Sequence, residues 1–195
     1  GENQGDEKVY FSGLPYLREE IQKKAIRDLA ILFPLALVIM FTFLRISIKE
    51  IRGVILPFSV VVMSVIFAMG LMPLLNYEYS LVAVLVPIMM IAIANNYGIH
   101  IIARYQEIGA DNPNWSMSKI INAVMKVLYM PIILTALTTI IGVLGLAAHI
   151  MLPAKQMGIV TAAGIGYALI LSLLYIPAVM TGLKKKNIQK TIKER

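Results

Sequence analysis

The stretch GVILPFSVVVMSVIFAMGLMPLLNY, residues 53–77, has no charged side chain over 25 positions. After the single Glu78 comes a second uncharged stretch of the same length, YSLVAVLVPIMMIAIANNYGIHIIA, residues 79–103. A helix needs about 20 apolar residues, at a rise of about 1.5 Å each, to cross the hydrocarbon core of a bilayer. Each stretch is therefore long enough for one membrane-spanning helix, and the short connection makes the two helices antiparallel neighbours.

Three further uncharged runs extend the pattern to five. Residues 127–154 and 156–183 form runs of 28 residues each, whereas residues 29–44 form a run of only 16. The short run continues an amphipathic stretch at residues 17–28, which predicts a helix that projects from the membrane on that side. The sequence thus predicts an all-α membrane protein with a five-helix transmembrane bundle. The predicted spans lie at about 25–44, 53–75, 80–103, 127–150 and 156–183.

The composition excludes the soluble classes of protein. Hydrophobic residues make up 58% and charged residues 15% of the 195 positions, against about 45–50% and about 25% in soluble domains. The absence of cysteine excludes a disulfide scaffold and a zinc–thiolate site. The hydrophobicity is also too high for a disordered chain.

The net charge of +7 is distributed unevenly once the connections are assigned to alternate sides of the membrane. One side receives 12 basic and 4 acidic residues, and the other receives 6 basic and 7 acidic residues. Because cytoplasmic loops of membrane proteins carry the excess of Lys and Arg, the positive side is predicted to be cytoplasmic. The chain is then a multi-pass protein of the cell inner membrane, with its amino terminus outside and its carboxyl terminus inside. A nucleic-acid partner is not needed to explain the charge.

Residues 1–28 contain no apolar segment of signal-peptide length, yet this topology requires them to be translocated. The chain is therefore predicted to be a segment of a longer protein with at least one earlier span. Residues 8–16, KVYFSGLPY, are typical of a short strand that stops at a Gly-x-Pro turn. The predicted organisation is the end of an extracytoplasmic domain at 1–16, a juxtamembrane helix at 17–28, the bundle at 29–183 and a basic cytoplasmic tail at 184–195.

The cytoplasmic connection of residues 104–126 carries structure of its own. A turn ends at Asn114, and either Asn114 or Ser116 is suited to cap a following helix. An apolar stripe at helical spacing, with Trp115 at its start, predicts a short interfacial helix at about 115–126. A helix that binds a calmodulin-like protein is the weaker interpretation. The stripe consists of Met117, Ile120, Ile121, Val124 and Met125.

The third predicted span carries a dense group of polar side chains. Amide and imidazole groups are costly in lipid, so such a group favours function over packing. The group consists of Asn95, Asn96, Tyr97 and His100. Asn96 and His100 are four residues apart, so they share one helix face. That face also holds Met89, Ala92 and Ala103.

The fourth predicted span carries Thr135, Thr138 and Thr139, with Thr135 as far to the cytoplasmic side of the membrane centre as Asn96. Threonine in a membrane helix usually forms hydrogen bonds that hold neighbouring helices together. The matching depth also permits a network between the two helices that serves transport or its coupling. The members of this candidate network are Asn95, Asn96, Tyr97, His100, Thr135, Thr138 and Thr139.

The sequence carries no motif for catalysis. It contains no HExxH, GxSxG or P-loop motif, no cysteine, and no pair of aspartates within a predicted span. We therefore predict no enzyme activity, no catalytic residue, no metal site and no cofactor.

Several segments, in this order and at this spacing, are similar to one superfamily over residues 8–183. They are VYFSGLPY, IRDLAILFPL, FLRISIKEIRGVILPFSVVVMSVIFAMGLM, YGIHIIARYQE, PIILTALTTIIGVLGL and MGIVTAAGIGYALILSLLYIPAV. The chain resembles the resistance-nodulation-division (RND) superfamily, and within it the MMPL-type hydrophobe exporters related to sterol-sensing domains. The resemblance implies transmembrane helices two to six of one half of a transporter membrane domain, lacking the first helix.

The resemblance also implies a function. Proteins of this kind are commonly proton-driven and export lipids or other hydrophobic substrates. The implied partners are the first helix, porter domain and second half of the parent transporter, or further copies of the chain. A non-transporting lipid sensor or scaffold, similar to a sterol-sensing domain, is the alternative. A protein-export auxiliary of the same superfamily is disfavoured, because YGIHIIARYQE is closer to the hydrophobe exporters.

One residue departs from the family pattern. Many members carry an Asp before the Tyr of the corresponding helix, where this chain has Asn96 before Tyr97. An asparagine side chain has no titratable proton. The coupling group then lies in the other half, or His100 titrates instead, or transport is not proton-driven, in that order of preference.

Overall fold

The computed structural model describes residues 14–48, 50–77 and 81–182. Short 3₁₀ turns at Leu81–Val84 and Gly145–Ala148 precede the third helix and follow the fourth. All five helices are long and apolar enough to cross a membrane, which confirms the all-α fold with five spans. The helices are α1 Leu14–Ser47, α2 Ile51–Leu74, α3 Leu85–Asp111, α4 Met117–Leu144 and α5 Leu152–Gly182.

The first helix, α1, begins earlier than the sequence pattern predicts. Residues 14–16 form its first turn and do not finish a strand. Proline fits the first turn of a helix, where its missing N–H needs no partner, so Pro15 is compatible with the first turn of α1. Residues 8–13 of the predicted strand and the predicted tail at 184–195 lie outside the described residues.

The predicted interfacial helix at 115–126 is not a separate element in the structure. Its residues from Met117 onward are the first turns of α4, which continues without a break to Leu144. No glycine or proline stands between Met117 and Val127, so nothing in the sequence interrupts the helix there. Ser116 is the N-cap, as predicted, and its hydroxyl accepts a hydrogen bond from the backbone N–H of Lys119.

Two helix ends follow from local chemistry. α3 continues past its predicted end at Ala103 to Asp111, and an ion pair between Arg104 and Glu107 stabilises this extension. Beyond the end of α2, Asn76 has a φ of 54°. Asparagine adopts this left-handed conformation more readily than most residues, so it turns the chain away from the axis of α2.

Three helices, α2, α3 and α5, form the core of the bundle. Gly98 of α3 lies against Pro57 of α2. Gly164 of α5 lies against Met90 of α3 and Ala68 of α2. Because glycine has no side chain, the helix backbones approach closely at these points.

The outer helices α1 and α4 flank this core on different sides. In the most apolar window of each helix, 11% of the residues are buried in α1 and in α4, against 44–50% in α2, α3 and α5. α3 contacts each of the other four helices, whereas α1 and α4 make no contact with each other within the described residues. The helix that carries the polar group is therefore the central helix of the bundle.

Candidate functional site

The polar group of α3 divides between two environments. Asn95 and Tyr97 are buried, with 9% and 2% of their surface exposed, whereas Asn96 and His100 are exposed. Successive residues of a helix point about 100° apart, so adjacent polar residues cannot share one face. These four candidate residues therefore do not form a single cluster inside the bundle.

The exposed members belong to a stripe along α3 that we call the polar strip. The polar strip consists of Ala92, Asn96, His100 and Ala103, all of them exposed. They recur every three or four residues and so share one helix face. Met89, one turn before Ala92 on the same face, is half-buried. Gly98 and Met90, which contact α2 and α5, lie on the opposite side of α3. The polar strip is thus a face of the central helix that the described part of the bundle leaves uncovered.

Asn95 and Tyr97 border the polar strip on its two sides, each about 100° around the helix from Asn96. The Asn95 Oδ1 atom and the Tyr97 hydroxyl are enclosed, and neither has a hydrogen-bond partner among the described residues. A buried polar atom without a partner costs about 1–3 kcal/mol. Both edges of the polar strip are therefore places where a further hydrogen-bonding group would stabilise the protein.

The threonines of α4 do not bond to the polar group of α3. The Thr135 hydroxyl donates to the Pro131 carbonyl at 2.8 Å, and the hydroxyls of Thr138 and Thr139 donate to the Thr135 carbonyl at 2.9 and 2.7 Å. Thr135 and Thr138 are exposed and Thr139 is half-buried. α3 and α4 are neighbours, but no hydrogen bond joins the two candidate groups within the part of the chain that the structure describes.

The exposed threonines lie on a side of α4 that is buried nearer to its start. Thr135 and Thr138 follow the buried Val124 by about three and four helical turns, on the same face. α5 covers a different face of α4, where Ile140 lies against Gly166. The threonine face and the polar strip are therefore uncovered surfaces on two neighbouring helices.

Two buried hydroxyls on α5 are not among the candidate residues predicted from the sequence. Thr161 and Ser172 have no exposed surface, and neither hydroxyl has a hydrogen-bond partner among the described residues. They are 11 residues, or about three turns, apart, so they share one side of the helix. Ile165 and Ala168 lie on the same side and are fully buried. This helical spacing, which identifies the core face of α5, is the signal in the sequence that could have found them.

The candidate site offers amide, hydroxyl and imidazole groups. No group of three or more His, Cys, Asp or Glu side chains is placed to hold a metal ion within the described ranges. His100 is the titratable member of the polar strip, and Asn96 beside it can donate and accept hydrogen bonds. The arrangement can therefore bind polar groups of a neighbouring helix and hold a proton at one imidazole.

Comparison with known proteins gives one match at the level of families. A search of curated proteins found no match to the chain. The model of the MMPL family matches residues 2–194, nearly the whole length. The structure of the matched region agrees with a membrane protein, because it contains five apolar helices that are each long enough to cross a membrane. The chain therefore belongs to the MMPL family.

Proposed function

We propose that the chain forms the membrane part of one half of an RND-type transporter that exports lipid or another hydrophobic substrate, driven by a proton gradient. Membership of the MMPL family gives RND-type membrane transport as the general function and a multi-pass membrane protein as the general location. The cell inner membrane, with the amino terminus outside and the carboxyl terminus in the cytoplasm, belongs to the same proposal. That orientation is supported by the uneven distribution of Lys and Arg.

The polar strip is the observation that carries the proposal. Asn96 and His100 lie in the middle of the 27 residues of α3, and both are exposed on the surface of the described bundle. An amide or imidazole group without hydrogen-bond partners costs on the order of several kcal/mol in hydrocarbon. The strip is therefore better suited to face protein than lipid. We infer that the second half of the parent transporter, or a second copy of the chain, covers it.

The group that couples transport to protons follows from the chemistry of the strip. Asn96 cannot titrate, so the proposal places the coupling group first in the other half, opposite the polar strip. His100 is the second choice, because an imidazole is the side chain most easily shifted across neutral pH. In either case the coupling group would lie at the polar strip beside Asn96, with Asn95 and Tyr97 at the borders of the strip. The neighbouring helix α4 carries Thr135, Thr138 and Thr139.

A transport assay on the full-length protein tests the role of the strip. Asn96→Leu and His100→Leu should each reduce export at unchanged expression, because each removes hydrogen-bonding groups from the strip. Asn122→Leu is the matched control, since Asn122 is exposed on α4 but lies outside the candidate network, and it should leave export unchanged. Unchanged export in both strip variants would contradict the proposal.

An imposed pH gradient separates the exporter from a non-transporting lipid sensor or scaffold. Export that increases with the gradient and stops when the gradient is collapsed supports proton-driven transport. Lipid binding without export under any gradient supports the sensor. Export at a rate that does not change with the gradient would support a transporter and would contradict proton coupling.

A further inference from the structure

The start of α5 lacks the residues that usually cap a helix. α5 begins at Leu152, and Met151 is its N-cap, because the Met151 carbonyl accepts a hydrogen bond from the backbone N–H of Lys155 at 3.2 Å. Side chains of Ser, Thr, Asp and Asn usually bind the free N–H groups at this end of a helix, whereas a methionine thioether is only a weak acceptor. The first turn of α5 contains no acidic residue. A polar group from outside the helix is therefore needed here.

His149 supplies such a group. Its imidazole Nδ1 atom accepts a hydrogen bond from the backbone N–H of Met151 at 3.0 Å. The arrangement is that of an Asx turn, in which a side-chain oxygen binds the N–H two residues later, with an imidazole nitrogen in place of the oxygen. The backbone N–H of His149 in turn donates to the Leu146 carbonyl at 3.0 Å. His149 thus joins the 3₁₀ turn Gly145–Ala148 to the start of α5.

The bond to Met151 requires a neutral imidazole. A ring nitrogen accepts a hydrogen bond only while it carries no proton, and both ring nitrogens are donors once the ring is charged. A protonated His149 therefore cannot accept from the Met151 N–H. Its positive charge would also lie at the amino-terminal end of α5, where the helix dipole disfavours a cation. Both effects favour the neutral ring, so the capped connection is present at high pH and is lost as the pH falls.

The helices packed against this connection offer a charged His149 no partner. The turn Gly145–Ala148 contacts α4 and α5 and no other helix within the described residues. The charged side chains of these two helices are all lysines. Lys155 lies in the first turn of α5, whereas Lys119 and Lys126 are more than about five turns away along α4. No carboxylate on α4 or α5 therefore stabilises the protonated imidazole, which is exposed to solvent.

The capped connection lies beside a close contact between the two helices. A Cβ atom at Gly158 of α5 would lie 2.8 Å from the Leu146 Cβ atom and 2.9 Å from the Val143 carbonyl oxygen. This packing involves neither the imidazole nor the Met151 N–H, so it does not depend on the charge of His149. Protonation is therefore expected to release the connection while α4 and α5 stay packed. The released residues would include the exposed apolar side chains of Ile150 and Met151.

We propose that His149 is a pH-sensitive cap between α4 and α5, which orders the connection while its imidazole is neutral and releases it when the imidazole is protonated. Imidazole is the side chain that ordinarily changes charge between pH 5 and 8. The cap goes beyond the proposed export function and depends neither on the substrate nor on proton coupling. Its placement on the outer side, where it would respond to the acidity of that compartment, rests on the proposed orientation.

Hydrogen exchange at the Met151 amide of the full-length protein in lipid nanodiscs tests the cap. The exchange rate is compared at each pH with that of the same amide in an unstructured peptide, because the intrinsic rate also changes with pH. In the wild type, protection should fall about threefold to tenfold between about pH 8 and about pH 5.5, as expected for the loss of one hydrogen bond. The Tyr77 amide is the control, because it donates to the Met72 carbonyl at 2.9 Å in a different connection, and its protection should not change.

Two substitutions of His149 separate the titration from the acceptor. His149→Asn keeps an oxygen that can bind the N–H two residues later but has no titratable proton, so Met151 should be equally protected at both pH values. His149→Phe keeps a ring without an acceptor, so protection should be low at both. Wild-type protection that does not change with pH, an acid-induced loss that persists in His149→Asn, or full protection in His149→Phe would overturn the proposal. The Tyr77 amide also reports whether each variant is folded.

Discussion

For a single polar residue in this bundle, position around the helix decides its role. Asn95 and Asn96 are chemically identical neighbours, yet the first is buried and the second is exposed. The cause is the rotation of about 100° between successive side chains. Hydroxyls differ in the same way, because Thr138 bonds to its own helix whereas Ser172 finds no partner there.

Thr138→Val should change the free energy of unfolding by less than about 0.5 kcal/mol. The Thr138 hydroxyl is exposed and donates to the Thr135 carbonyl at 2.9 Å, so no other helix depends on it in the described bundle. Valine has nearly the same shape. Thermal unfolding of the variant in detergent measures the effect. A large loss of stability would show instead that Thr138 bonds to another part of the protein.

Among the helices, close approach at glycine sets how tightly α2 and α3 pack. A Cβ atom at Gly98 would lie 2.5 Å from the Pro57 Cβ atom and 3.0 Å from the Pro57 Cα atom. Proline cannot move aside as a flexible side chain would, so Gly98→Ala should force the two helices apart. We expect a loss of about 1–3 kcal/mol in the free energy of unfolding.

Gly142→Ala is the matched control for this substitution. A Cβ atom at Gly142 of α4 would meet nothing within 4 Å, and alanine favours a helix interior by about 0.5–1 kcal/mol over glycine. This variant should unfold at the same temperature as the wild type or slightly higher. Equal stability of Gly98→Ala and Gly142→Ala would refute the close packing of α2 on α3.

The sequence predicts the helices better than it predicts where they end. Long uncharged runs are sufficient to identify five spans, because the hydrocarbon thickness sets a minimum length. An uncharged run does not show whether a helix continues into the polar residues beyond it. In the structure α3 continues to Asp111, and residues 117–126 belong to α4. The strand expected to end at residue 16 depended on reading Pro15 as a stop, whereas proline also begins helices.

For the molecule as a whole, the charge distribution implies an orientation that labelling can test. The chain contains no cysteine, so a single introduced cysteine is a unique reporter in this segment. His149→Cys lies between α4 and α5, and Asn114→Cys lies between α3 and α4; both positions are exposed. A membrane-impermeant thiol reagent should label His149→Cys on intact cells and should label Asn114→Cys only after permeabilisation. The reverse pattern would invert the proposed topology.

For the candidate site, the sequence predicts only which residues of one helix share a face. Spacing alone places Asn96 and His100 on a common face, and the structure agrees. Whether that face turns inward depends on the packing of the other helices, which no single-helix pattern contains. The hydrogen bond from Thr135 to the Pro131 carbonyl is instead local to α4, a bond that is open to any Thr within a helix. Ser172, which is fully buried on α5, is likewise not among the residues predicted from the sequence.

The central claim is that protein, and not lipid, covers the polar strip in the assembled transporter. A nitroxide spin label at Ala92→Cys reports this directly when its accessibility to oxygen is compared with that of a label at Val38→Cys, an exposed apolar position on the outer helix α1. Oxygen concentrates in the bilayer core and is excluded from packed protein. In the full-length protein, freed of other cysteines, we expect low oxygen accessibility at position 92 and high accessibility at position 38. Equal, lipid-like accessibility at both positions would contradict the claim.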